Sequence, residues 1–403
     1  MPHATPMRLA TTIRPYDWGS VTALPELFGT EPTGEPQAEL WMGAHPGAPS
    51  TADGVPLNEL IARDPAATLG ERCAERFGPV LPYLFKVLAI ERPLSLQVHP
   101  TSAQAEAGFA DENARGIPLD DYARTYKDAS HKPEMVCALT PFHGLCGFRP
   151  PAATAGLLDR LGVPGLRPWI ETLRTGEPGQ ALREVFAAML GDAARPLRAE
   201  TEAALLESRD PDLAAYAGIA RAYPGDPGIV AALLLHHVTL SPGEALYLGA
   251  GVPHAYLGGI GVEIMANSDN VLRCGLTSKH VDVPELMRVV DFTPSAPHRV
   301  EPAADGSGAY DYRPPAPEFA LTRYDLAGAH ALPGGVPAIV LCVEGEACVG
   351  EARVGEARVG EARVGEDLTL RPGQSAFVPA AAASPVVSGK GTIYVAQPGA
   401  FTL

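Results

Sequence analysis

The chain repeats itself once, at long range, and this repeat constrains its fold more than any other feature. Thr239-Leu-Ser-Pro-Gly…Gly259-Ile-Gly…Ala266 aligns without a gap to Thr369-Leu-Arg-Pro-Gly…Gly389-Lys-Gly…Ala396, 130 positions later. Each copy reads as a strand ending in a Pro-Gly turn, an apolar strand (Ala245–Leu248 and Ser375–Val378), a loop and a further strand. Such strand pairs suit a double-stranded β-helix, or jelly roll, and two copies predict two of them. The copies part at His254, which corresponds to Ser384. A metal held through His254 in the first copy therefore has no counterpart in the second.

The rest of the chain fits a mainly β protein with a helical domain inserted. Glycine (42) and proline (41) punctuate short apolar runs, Leu81–Ile90, Leu94–His99, Leu240–Leu248 and Val262–Ala266, as strands separated by turns. Between Pro150 and Gly225 the texture changes: Ala, Leu, Glu and Arg recur at helical spacing, with Pro and Gly at the breaks. Leu57–Phe77 also reads as helical, with Asn58 as its N-cap. A chain of 403 residues is long enough to divide its core among domains. The expected division is 1–149 and 226–315 for the two parts of the first β domain, 150–225 for the helices, and 316–403 for the second β domain. Within Gly350–Glu366 the unit GEARV occurs three times. An odd period puts Val354, Val359 and Val364 on alternating faces, which disfavours one continuous half-buried strand and predicts a solvated hairpin extension.

A formal net charge of -16, without any Lys/Arg run, argues against a nucleic-acid partner. No stretch reaches the roughly 20 apolar residues of a membrane span, and the N-terminal segment lacks the apolar core of a signal peptide. The expectation is a cytoplasmic monomer. Six cysteines without a CxxC pair predict reduced thiols and direct the search for metal ligands elsewhere.

Three stretches carry chemistry. In Leu94-Ser-Leu-Gln-Val-His99-Pro, Gln97 and His99 fall on one face of a strand that Pro100 ends. Lys132-Pro-Glu134 presents a carboxylate before an apolar run, and Gly251-Val-Pro-His254 presents a second imidazole. Two imidazoles, a carboxylate and an amide oxygen make a mixed site with an open position, suited to zinc as a Lewis acid. Spacing alone leaves other cupin metalloenzymes, such as an iron or manganese dioxygenase, and a sugar-binding barrel equally open.

Longer segments narrow the choice. Tyr126-x-Asp-x-x-His-Lys-Pro-Glu134 and the unbroken stretch from His254 to Lys279 resemble the two signature segments of the type I mannose-6-phosphate isomerases, and the likeness extends to Pro15–Gly19, Glu39–Pro46 and Leu94–Pro100. The resemblance implies two cupin-type jelly-roll barrels with an α-helical insertion. It also implies one Zn2+ per chain on Gln97, His99, Glu134 and His254, with Arg273 catalytic. The implied reaction interconverts mannose 6-phosphate and fructose 6-phosphate through an enediolate, whose charge a dication and a guanidinium would stabilise. His131, Lys132 and Asp269 are candidates to carry the proton, and a neighbouring dication would favour the neutral amine of Lys132. Lys86, a cation within an apolar strand, is expected to face the phosphate together with Ser95, Arg273 and Lys132, the last as an alternative to its proton-carrying role. Tyr256 and Asn267 are expected at the sugar hydroxyls. Glu263 joins them as a substrate contact or, with Asp269, as a salt-bridge partner of Arg273. The chain departs from the family pattern at Ser130, Cys274 and Ser278, none of which removes a ligand or a charge.

Overall fold

The computed structural model describes residues 4–352 and 368–399. Most of the GEARV repeat, with its expected hairpin, lies outside the described residues. Two eleven-stranded sheets face each other, and a block of helices covers the outer side of one.

The first sheet is organised by the 13-residue strand His254–Ala266. Its first residues pair with Leu96–Val98 and Phe142–Phe148, and its remainder with Tyr83–Ile90 and Glu134–Ala138. The change of partner occurs at Gly258 and Gly259. At Gly259 φ is +111°, and a Cβ would stand 2.6 Å from the Pro141 carbonyl oxygen, so only glycine lets the strands cross this closely. Gly389, its counterpart in the second copy, has φ +132° and would bring a Cβ to 2.2 Å from the Glu346 oxygen. The two copies of the repeat thus share a fold device as well as letters. Their turns match too: Gly243 donates to the Ala138 carbonyl (2.8 Å) and Gly373 to that of Cys342 (2.9 Å). The run Leu240–Leu248 is accordingly two strands about this turn, Leu235–Leu240 and Ala245–Leu248.

Strands Ala320–Leu326, Ala338–Glu351, Ser375–Val378 and Pro385–Gln397 form most of the second sheet. The sheets cut across the expected division of the chain in one place. Met7–Ala10 pairs with Ser375–Val378, and Thr51–Ala52 pairs with Met7–Ala10, so N-terminal strands extend the C-terminal sheet. Between the sheets lies a joint core in which Phe85, Met135 and Ile264 meet Ile339, Phe377 and Tyr394.

Residues 151–222 carry five α-helices, Pro151–Arg160, Arg167–Thr175, Pro178–Leu190, Arg195–Glu207 and Ala214–Ala222. Proline occupies the first turn of four of them, where its missing N–H costs no helix bond. Their apolar faces bury Leu182, Phe186 and Tyr216 against Leu145 and Ala255 on the outer side of the first sheet. Leu57–Phe77 is not one helix but three short ones, Leu57–Arg63, Pro65–Leu69 and Glu71–Phe77. Pro65 cannot continue the first, and Gly70 at φ +82° ends the second. Asn58 lies inside the first turn rather than capping it; the side-chain cap belongs to Asp64, which accepts from the Ala67 N–H at 3.0 Å. All six cysteines are free thiols. No described helix is long and apolar enough to cross a membrane.

Candidate metal centre

Strand alternation delivers the site. Leu96 and Val98 are buried in the core beneath the helices, which turns Gln97 and His99 to the inner face of the sheet. His254 opens its long strand directly opposite Gln97. Glu134 opens the strand Glu134–Ala138, opposite Met265. On that inner face Leu88, Val136, Ala138 and Leu248 form an apolar floor, and the polar residues gather at the other end.

There His99, Glu134 and His254 form a buried group whose ligand atoms could hold one metal ion. His99 Nε2 stands 3.3 Å from Glu134 Oε1, and His254 Nε2 stands 3.5 Å from Oε2. The other nitrogens fix both rings: His99 Nδ1 is 2.8 Å from the Asn270 carbonyl and His254 Nδ1 2.9 Å from that of Val252. A carbonyl only accepts, so each Nδ1 bears the hydrogen and each Nε2 presents a bare lone pair. Two lone pairs aimed at a carboxylate repel it unless a cation lies between them. Consistent with this, His99 Nε2 and Glu134 Oε2 are buried without a hydrogen-bond partner. Burial, opposed by Glu134, lowers the His99 imidazole to about 4. Burial alone would raise the Glu134 carboxyl, but the Lys132 ammonium beside it outweighs burial and holds it well below the usual carboxylate range. The Gln97 amide nitrogen lies 3.3 Å from His254 Nε2.

A second group surrounds the first. Lys132 Nζ donates to Glu134 Oε1 at 2.6 Å. Lys86 stands between Glu263 (3.2 Å) and Glu39 (3.5 Å), with its ammonium 5.1 Å from the Trp41 ring. Burial pulls the ammonium down, but these carboxylates outweigh it and leave it raised. Glu263 is itself raised by burial against the pull of Lys86. Lys86, expected at the phosphate, is thus flanked by two buried carboxylates. Tyr256 Oη and Asn267 Oδ1 are buried without partners, and Ser95 is half-buried nearby in the chain.

Arg273 lies opposite Gln97 on the strand Leu272–Gly275. Among the described residues it makes no ion pair with Asp269 or Glu263. It lines a cleft of about 300 Å³ together with Lys127, Lys279 and His280. Burial lowers its guanidinium, and burial with the charges of Arg273 and Lys127 lowers Lys279.

The type I phosphomannose isomerase catalytic domain matches residues 7–151. The mannose-6-phosphate isomerase of Escherichia coli K12 is 40% identical over 398 residues, covering 96% of this chain and 98% of its own. The chain belongs to the type I mannose-6-phosphate isomerases. It is an isomerase. The Salmonella typhimurium mannose-6-phosphate isomerase is 42% identical over 402 residues with the same coverage. Its apo crystal structure superposes with a TM-score of 0.88 at 40% identity, over 99% of this chain and all of that one. A zinc-bound mannose 6-phosphate isomerase superposes equally well, with a TM-score of 0.88 at 39% identity.

Within this isomerase two proton-carrier candidates have partners of their own. The His131 imidazole lies 2.8 Å from Glu318. Asp269, 57% exposed, lies 3.3 Å from His45, whose hydrogen bond lowers its carboxyl. Sequence reasoning missed Glu39, Trp41 and Asn270. Glu39 and Trp41, two apart on Glu39–Met42, were accessible to the same alternation that found Gln97 and His99. Nothing local announced Asn270, whose contribution to His99 is a backbone carbonyl.

The second copy of the repeat shows what the site requires. Through the matched turns and registers, Lys86, Glu134, His254 and Glu263 correspond to Tyr324, Ala338, Ser384 and Ile393. Tyr324, Ala338 and Ile393 belong to an apolar cluster. Among the described residues the second unit holds no metal-ligating group.

Proposed function

We propose that the protein interconverts mannose 6-phosphate and fructose 6-phosphate on one zinc ion held by Gln97, His99, Glu134 and His254, in the first of two cupin-type jelly-roll barrels. The single observation that carries this reading is the buried pair of bare imidazole nitrogens facing Glu134, beside Lys132 and Glu263 on one inner face. A zinc ion there supplies Lewis-acid polarisation of the sugar oxygens. The remaining steps belong to side chains. The Glu263 carboxylate takes the proton from C2 of the open-chain aldose, leaving an enediolate whose charge rests on O1. It returns that proton to C1 while the proton on O2 passes to O1, and the ketose results. Lys132 and Arg273 hold the two oxygens and offset the developing charge. A carboxyl raised by burial is closer to a working base than an ordinary one. The phosphate lies in the cleft of Arg273, Lys127 and Lys279, a local basic group on an acidic protein. We propose the domain division 1–149 with 226–315, 150–225 and 316–403, with the strands Met7–Ala10 and Thr51–Ala52 lent to the second sheet. The reaction serves mannosyl-donor synthesis in one direction and mannose breakdown in the other, in the cytoplasm of the cell.

A coupled assay on the purified protein tests this reading. Turnover of mannose 6-phosphate should vanish with a chelator and return with zinc. Full turnover in metal-free protein, or none in zinc-loaded protein, would overturn it.

A further inference from the structure

His131 plays no part in the chemistry above, yet its loop is clamped from two sides. On one side Asp128 accepts from Ser268 Oγ and from the Asp269 N–H, each at 2.8 Å. The Asn270 amide donates to the carbonyls of Asp128 and Ser130, also at 2.8 Å. On the other side His131 Nε2 lies 2.8 Å from Glu318 Oε1, and a carboxylate can only accept.

Glu318 comes from the C-terminal part of the chain and has little freedom to move. Its neighbour Phe319 is wholly buried in the joint core between the sheets, with Ala316 beside it, and the Pro317 carbonyl accepts from Gly399 at 3.1 Å. The Glu318 side chain is 14% exposed. Its second oxygen, Oε2, is buried without a hydrogen-bond partner, so among the described residues its side-chain hydrogen bond is the one to His131. The next residue along from His131 is Lys132, whose ammonium sits 2.6 Å from Glu134. A lysine carries several freely rotating bonds, and its aim depends on a fixed backbone at its root.

We propose that Glu318 is a positioning residue for the isomerase reaction. By accepting the hydrogen bond of His131, it fixes the backbone that aims Lys132 at Glu134, and so the C-terminal unit completes the active site. The inference rests on the role given above to Lys132. It changes what the second unit is for: one of its carboxylates reaches the catalytic loop of a site it does not itself contain. Displacements of about 1 Å at a reacting group cost as much as 10²-fold in rate, so loss of this strut should be read in turnover before it is read in stability.

The experiment compares Glu318→Ala with Glu318→Gln. The glutamine amide oxygen can still accept from His131, whereas alanine cannot. Glu318→Ala should keep its zinc and lower kcat by about tenfold with KM within about twofold, while Glu318→Gln should restore most of kcat. Independently of turnover, the His131 Nε2–H signal in 15N-histidine-labelled protein should be protected from exchange in the parent and in Glu318→Gln, and lost in Glu318→Ala. Absence of turnover in the zinc-loaded parent would sink the proposed reaction. Unchanged kcat in a Glu318→Ala protein that has lost the protected signal would sink the positioning role alone, as would a Glu318→Gln protein as slow as Glu318→Ala.

Discussion

A lone pair without a proton or a metal is an unstable thing to bury, and His99 and His254 each bury one against Glu134. Substituting either imidazole by alanine should empty the site, measured as zinc per chain by elemental analysis, with loss of turnover. Gln97→Ala should keep part of its zinc, because a neutral amide contributes less to ion binding than a charged or strongly basic donor. Alternation and strand ends, which are local properties, made Gln97, His99, Glu134 and His254 candidates and the family resemblance singled them out; the structure gathers His99, Glu134 and His254. The environment of Lys86 was not legible in the sequence, since Glu263 lies 177 residues away in the chain and only pairing of strands brings it near. That environment sets the effect of changing Lys86. Lys86→Met leaves Glu39 and Glu263 buried without their counter-charge, which should cost about 3–5 kcal/mol by urea denaturation, and lower kcat without selectively weakening the phosphorylated sugar. Lys279→Ala should instead raise KM for mannose 6-phosphate by about tenfold, the worth of one charge-assisted hydrogen bond. Glu263 makes the pH profile informative. As a base it works deprotonated, and burial raises its carboxyl above the usual range. Activity should therefore fall as pH drops through that raised value, higher than an exposed glutamate would give, and Glu263→Gln should abolish the acid limb together with most of kcat.

Elements were legible where the signal repeats and illegible where one residue interrupts it. The helical block was marked by proline and glycine at its breaks, and the structure places prolines in four first turns. Leu57–Phe77 read as a single helix because its apolar spacing continues through Pro65 and Gly70, and backbone constraints won over periodicity. In the repeat, the paired glycines were visible as letters, but the reason for them is a strand crossing that no spacing reveals. Gly391 shows this most sharply: φ is +140° and an added Cβ would lie 2.0 Å from the Glu344 oxygen. Gly391→Ala should cost at least about 1–3 kcal/mol, seen as a lower melting temperature. Because Gly391 lies in the copy without ligands, its zinc content should stay at the parent value. Loss of zinc with unchanged stability would mean that the two copies are not separable in this way.

At the scale of the whole molecule the two sheets are a single packed object, a fact that no stretch of sequence announces. Met7 pairs with Phe377, and the N-terminal strand is legible as a strand but not as a member of the distant sheet. Phe377 is wholly buried, and it belongs to the core shared by both sheets rather than to the interior of the second unit. Its environment therefore includes Met7, Phe85 and Ile264 from the first unit alongside Ile339 and Tyr394 from its own. Truncating it leaves a cavity at the junction, where neither sheet can collapse without moving the other, and Phe377→Ala should cost about 3–5 kcal/mol. The loss should appear as one cooperative transition at a lower denaturant midpoint, since weakening a shared core destabilises both units together. Ser384, at φ +52° on the surface of the same unit, provides the contrast: Ser384→Gly should leave zinc content and turnover near the parent values. A Phe377→Ala protein that unfolds in two separated transitions, the first retaining zinc and turnover, would show that the first unit stands alone and that the joint core is a contact between independent domains.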